Sequence, residues 1–132
     1  MSDTQRLKYL RIVLVIAGIA CLAVYPLMLV WPSGWIWHEG YSDYPMMFVG
    51  VYATLGVFLF RAARDPLGNL SLIWFAVWSS VVHGAIMLVQ SFAHPGHLGH
   101  LLGDVPVLFI AAIALAVLTP RGEQARLLHR AA

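Results

Sequence analysis

Charge is what this sequence has least of. Asp, Glu, Lys and Arg supply only 11% of its 132 residues, 61% are hydrophobic, and the mean hydropathy is +0.79. A water-soluble domain usually carries about 25% charged residues, so water is not the main solvent of this chain. Cysteine is nearly absent as well. Cys21 stands alone, which excludes an intramolecular disulfide and the cysteine pair needed for quinone-linked disulfide exchange. No glycine-rich loop ends in Gly-Lys-Ser or Gly-Lys-Thr, and no Ser, His, Asp order surrounds a nucleophile elbow. A Walker-type nucleotide site and a serine hydrolase are therefore excluded on motif grounds. Internal repeats and low-complexity tracts are lacking too, and residues 1–132 read as one domain.

What is present is four long apolar runs, Ile12 to Trp31, Met46 to Phe60, Leu70 to Phe92 and Val105 to Leu118. A helix rises about 1.5 Å per residue, so crossing a hydrocarbon core of about 30 Å takes roughly 20 residues. The first and third runs reach that length unaided, and the other two borrow flanking residues. Spans are predicted at 12–31, 44–61, 70–92 and 100–119, giving an all-α integral membrane four-helix bundle with the lipid bilayer as its partner. All eight basic residues then fall on one side: Arg6, Lys8 and Arg11 before the first span, Arg61 and Arg64 after the second, and Arg121, Arg126 and Arg130 after the fourth. The positive-inside rule places that side, and both termini, in the cytoplasm. The pI of about 9.0 reflects this rim facing anionic headgroups and gives no reason to expect nucleic acid. Basic residues before an apolar run with "AGIAC" at 17–21 resemble a lipoprotein or secretory signal. Gly18 fits that pattern poorly, however, and the run continues to Trp31, long enough to stay as a span.

Each span carries a face of its own. Ala17, Cys21 and Tyr25 form a strip on the first, and Gly50, Ala53, Thr54 and Gly56 suit close packing on the second. Such small-residue faces also suit a homo-oligomer. The loop "WPSGWIWHEGYSDYP" groups Trp31, Trp35, Trp37, Tyr41 and Tyr44 with His38 and Glu39. Aromatic rings of this kind anchor at the membrane interface; the alternative is a lid over a pocket. Asp65 and Pro66 read as a turn whose carboxylate pairs with Arg61 or Arg64. On the third span Ser79, His83 and Gln90 lie near one face, with Ser80, Gly84 and Met87 beside them, and that face is expected to look into the bundle. The tail around Leu127, Leu128 and His129 reads as a short interfacial helix or a frayed end.

The stretch "AHPGHLGHLLGDVP" is the main chemical signal. If the fourth helix starts near His100 or at Pro95, His97, His100 and Asp104 share a face, and Gly96, Gly99 and Gly103 form a bare strip for the third span. From the helical rise, His83 lies about 13 Å and Tyr25 and Tyr52 about 9 Å below the outer helix ends. The polar groups thus gather in the outer half, as a cup and not a channel. Ionisable residues within a membrane are functional candidates by default. The expected ligand pocket consists of His83, Asp104, Tyr52, Tyr25 and Gln90, with His83 paired to Tyr52 or Thr54 and Asp104 to His100 or Gln90. His94, His97, His100 and Asp104 also suit a divalent metal ion such as zinc, copper or iron. Set against this is a polar rim in which Asp104 is an ordinary helix-start residue. Three functions fit: a binding or accessory protein with a periplasm-facing cup, a small metal-dependent membrane enzyme, and an oligomeric transporter or complex subunit.

The runs "LVWPSGWIWHEGYSDYPMMFVGVYATLGVFLF", "RDPLGNLSLIWFAVWSSVVHGAIM" and "GHLLGDVP" together resemble a small bacterial family of four-span membrane proteins of unknown function. Some of these are called BphX-like after an aromatic-degradation operon. The likeness covers about Tyr9 to Pro120. It implies a multi-pass protein of the bacterial inner membrane and carries over no catalytic residues.

Overall fold

The computed structural model describes residues 1–37, 43–122 and 127. His38, Glu39 and Tyr41 of the Trp-rich loop, and Arg126, Leu128, His129 and Arg130 of the tail, lie outside the described residues. The elements are α1 (Asp3–Val30), a short α2 (Pro32–Trp35), α3 (Tyr44–Arg64), α4 (Leu70–Ala93) and α5 (Asp104–Leu118), with 3-10 turns at Leu67–Asn69 and Pro95–Leu101. No strand occurs among the described residues. Among the described residues, four helical segments, Asp3–Val30, Tyr44–Arg64, Leu67–Ala93 and Gly96–Leu118, are long and apolar enough to cross a membrane, which suggests a multi-pass membrane protein.

Local sequence explains most of the boundaries. α1 begins well before its apolar run because Ser2 and Gln5 close a capping box: the Ser2 hydroxyl accepts from the Gln5 amide and the Gln5 side chain accepts from the Ser2 amide. Pro26 lies inside α1, which continues to Val30. α3 stops at Arg64, ahead of Asp65 and Pro66. The Asp65 carboxylate accepts from the Gly68 amide at 3.0 Å, an Asx-type turn in place of the expected pairing with an arginine. The fourth span differs more from expectation. Its histidine-rich entry is a 3-10 turn ending at Leu101, and α5 starts only at Asp104.

α1 lies along α3 and α5 along α4, the two hairpins are joined where α1 meets α5, and α3 and α4 meet only sparsely. The α1–α3 crossing is set by Gly18 and Gly56. A Cβ at Gly56 would stand 2.9 Å from the Gly18 carbonyl oxygen, and one at Gly18 would stand 3.0 Å from the Phe60 ring. Two bare backbones can therefore approach where larger residues would hold them apart. Tyr25, expected on the inner strip with Ala17 and Cys21, instead faces outward, 44% exposed. Each four-residue step overshoots a turn of 3.6 residues by about 40°, so the inner face passes from Cys21 to Val24 and Met28 and leaves Tyr25 outside.

The tight core occupies the arginine-bearing half, where Leu10, Leu14, Leu59, Ile73, Val77 and Leu115 pack together. Two basic residues of this end serve the backbone. Arg6 Nε donates to the Leu118 carbonyl at 3.0 Å, and its terminal nitrogen donates to the carbonyls of Val117 at 2.8 Å and Thr119 at 3.3 Å. Arg121 donates to the Ala116 carbonyl at 2.9 Å and sits 4.9 Å from the centre of the Trp74 ring. The carbonyls that end a helix lack intrahelical donors, and these guanidiniums supply them; Arg6 thereby ties α1 to α5, and Arg121 leans from the end of α5 onto Trp74 of α4. Gly56→Leu should destabilise the protein by about 1–3 kcal/mol through overpacking. Gly50→Ala, where a Cβ has nothing within 4 Å, should stay within about 1 kcal/mol of the parent; thermal unfolding in mild detergent separates the two.

Candidate functional site: a cavity under a tryptophan lid

α1 ends where the Trp31 amide donates to the Leu27 carbonyl at 2.8 Å, and Pro32 opens the one-turn α2. This turn is pressed onto the histidine-rich segment. A Cβ at Gly99 would collide with the Ser33 carbonyl, and one at Gly103 with the Gly34 carbonyl. The glycines expected to receive α4 therefore receive α2, and Gly96 has open space beside it. Their spacing did announce a close backbone approach; the partner is a segment whose sequence reads as loop.

That approach carries Ile36 and Trp37 over the start of α5. Trp37 Nε1 donates to Asp104 Oδ2 at 2.7 Å, and its ring stacks on His100 with centroids 3.8 Å apart and planes 28° from parallel. His100 Nδ1 lies 3.1 Å and 3.0 Å from the two carboxylate oxygens of Asp104, and its Nε2 lies 3.0 Å from the Ile36 carbonyl oxygen. His100 is 1% exposed and Asp104 7%. A carbonyl oxygen only accepts, so Nε2 carries a proton, and a second proton lies between Nδ1 and the carboxylate. The pair is neutral overall, which is how a carboxyl group is tolerated in so dry a place. Asp104 is not a helix cap. Gly103 occupies the cap position without a side-chain bond, and Asp104 is the first residue of α5.

His100 thus has no ring nitrogen left for a metal. The His97 ring stands edge-on to Trp37 at 5.0 Å and to His100 at 5.8 Å, with its Nδ1 buried and without a hydrogen-bond partner. The His94 ring lies 5.6 Å from that of His97. Among the described residues no group of three or more His, Cys, Asp or Glu is placed to hold a metal ion. The expected ligand set of His94, His97, His100 and Asp104 does not converge. A 3-10 turn stacks every third side chain in register, and Asp104 is held by Trp37 and His100.

Beneath the lid lies a cavity of about 770 Å³ bounded by α1, α3, α4 and α5, with Trp35, Trp37 and Asp104 toward its outer end. Tyr52 and His83 face it from α3 and α4, the Tyr52 hydroxyl 3.5 Å from His83 Nδ1. Of the two partners expected for His83, Tyr52 is the one found, since Thr54 gives its hydroxyl to the Gly50 carbonyl at 2.9 Å. Gln90 also lines the cavity, but Asp104 is bonded to Trp37 and His100. Ser80, a turn from His83, is a further lining residue. Thr54, Ser79 and Ser91 return their hydroxyls to carbonyls of the preceding turn, whereas no hydrogen bond joins the Ser80 hydroxyl to another described residue. The deeper wall is apolar: Ala17, Leu55, Leu59, Ala76 and Leu115. Phe48 and Ile86 line the cavity while 57% and 54% exposed, so it opens sideways where α3 and α4 part.

Four of the five expected pocket residues, His83, Asp104, Tyr52 and Gln90, therefore share one cavity, and Tyr25 lies outside it. Trp35 and Trp37, read from sequence chiefly as interfacial anchors, form its lid. Asp104→Ala should cost about 3–5 kcal/mol because it leaves the His100 and Trp37 donors buried without an acceptor. Trp37→Phe removes one hydrogen bond, keeps the stacking, and should cost about 1–3 kcal/mol. Chemical unfolding in detergent followed by near-ultraviolet dichroism measures both.

No curated protein and no solved structure matches this chain. A family model does match, over residues 4–128, and agrees with the resemblance seen in the sequence at the level of a family without an assigned activity. With the match spanning nearly the whole chain, the protein belongs to the family described as "Family of unknown function (DUF6632)".

Proposed function

We propose that this protein is a binding or accessory protein of the bacterial inner membrane that holds a small, mainly apolar and uncharged molecule bearing a hydroxyl or carbonyl group. The observation that carries this reading is a mainly apolar cavity of about 770 Å³ with a few polar side chains, Tyr52, Ser80, His83 and Gln90 among them, in its wall. That volume falls within the usual range of ligand sites, about 300–1,000 Å³. An unfilled apolar cavity forfeits dispersion contacts along its whole lining, so an occupant stabilises the bundle as well as itself. His83 Nε2, the Ser80 hydroxyl, the Gln90 amide and the buried Trp35 Nε1 all line the cavity without a hydrogen bond among the described residues and are available to such a guest. The internal neutrality of the His100 and Asp104 pair favours an uncharged one.

The sideways opening lets an apolar molecule enter from the bilayer without crossing water. The arginine-bearing end, by the positive-inside rule, faces the cytoplasm with both termini. The tryptophan lid and the histidines then face the periplasm, and the guest sits in the outer half of the membrane.

Radiolabelled 1-naphthol and naphthalene share a ring system and differ by one hydroxyl. In lipid nanodiscs, the protein should bind 1-naphthol saturably and about tenfold more tightly than naphthalene, the ratio expected of one good hydrogen bond. Ser80→Ala combined with His83→Ala should shrink that preference to about threefold or less, while Ala111→Phe, which fills the cavity, should abolish both. Equal, non-saturating uptake by empty nanodiscs, or unchanged binding to Ala111→Phe, would refute the proposal.

A further inference from the structure

We infer that the arginine-bearing end holds a specific site for one anionic phospholipid, in the groove between α1 and α3 whose rim is Arg11 and Arg64. The inference rests on the membrane-spanning reading of the helices and is independent of any guest in the main cavity. The groove has a volume of about 630 Å³, and its walls are Ile12, Val15, Ile16, Phe60 and Ala63. Its shape follows from the helix crossing: the Phe60 ring leans on the bare backbone of Gly18, leaving an apolar trough on the outward side of α1. Ile12, Val15 and Ile16 are 44%, 39% and 60% exposed, a row of branched side chains on the face that meets lipid tails.

The rim is what makes the trough selective. Arg6 and Arg121 of the same end are engaged with the last carbonyls of α5. Arg11 and Arg64, by contrast, have no hydrogen bond or ion pair among the described residues. Two uncommitted guanidiniums border one apolar groove, one from each helix. A guanidinium presents paired N–H donors that match the oxygens of a phosphate. The ligand that satisfies both parts has a phosphodiester head and an acyl chain attached to it. A choline head carries its own cation, which competes with the arginines for the phosphate charge; a glycerol head does not. The site therefore takes phosphatidylglycerol in preference to phosphatidylcholine.

Native mass spectrometry of the protein with an equal mixture of these two lipids tests the site. One bound phosphatidylglycerol is expected, preferred over phosphatidylcholine by about tenfold. Arg11→Gln with Arg64→Gln should reduce the preference to about twofold or less. Lys8→Gln with Arg61→Gln removes the same charge from the same end outside the groove and should leave the preference intact. Val15→Trp, which fills the trough and keeps both arginines, should also lose the lipid, and it serves if the arginine pair proves needed for folding. Equal loss in the two double variants would reduce the effect to diffuse surface charge and overturn the site. Displacement by soluble glycerol 3-phosphate would overturn it in favour of a free phosphate site. A lipid-free dimer would overturn it in favour of a second copy of the chain.

Discussion

Asp104 places a carboxyl group on the first turn of an apolar helix, where an unpaired charge is expensive enough to unfold a small bundle. Two side chains of the histidine-bearing end answer that demand. His100, four residues earlier, supplies one donor and Trp37 another, and His100 is itself fixed through its second nitrogen by the Ile36 carbonyl. Because Trp37 and Ile36 come from the segment after α2, meeting the needs of Asp104 also fastens that segment across the top of the bundle. The lid over the cavity is thus a consequence of a buried carboxylate, and its position depends on two glycines that let the Ser33 and Gly34 carbonyls come within contact.

The two ends of the molecule solve different problems. At the arginine-bearing end the helices converge on a tight aliphatic core, and Arg6 closes the end of α5. At the other end the helices stand apart around a cavity, and α3 and α4 hardly touch. In lipid there is no hydrophobic force to drive that gap shut, because tails outside are as apolar as the walls within. A space that would collapse in a water-soluble protein can persist here, and its few polar groups can be held in place for a guest.

Much of the site was legible in the sequence. The spacing of His83 on the third span and of His100 and Asp104 before the fourth predicts an intramembrane polar cluster, and the level of Tyr52 on the second span puts it within reach of His83, 3.5 Å away in the structure. Other residues were not legible for identifiable reasons. A strict four-residue step from Ala17 through Cys21 points to Tyr25, but each step turns too far round the helix and leaves Tyr25 outside. Trp37 looked like its neighbours Trp31 and Trp35, since nothing in composition separates a ring that anchors at the interface from one that donates to a buried carboxylate. The histidines looked like ligands because spacing reports which side chains are near one another along a helix, and it does not report where each ring nitrogen points.

The sequence by itself determined the class of the protein: four apolar segments of spanning length, basic residues confined to one end, and the ionisable groups within the spans gathered in the other half. These follow from composition and periodicity, which act locally and act everywhere along the chain. Only the tertiary structure decided that the glycine strip receives α2, that His100 uses both nitrogens internally, that Arg6 caps a helix more than a hundred residues away, and that the bundle opens between α3 and α4. Each of these is a contact between segments distant in sequence, set by which backbones can approach and which buried donors must find an acceptor.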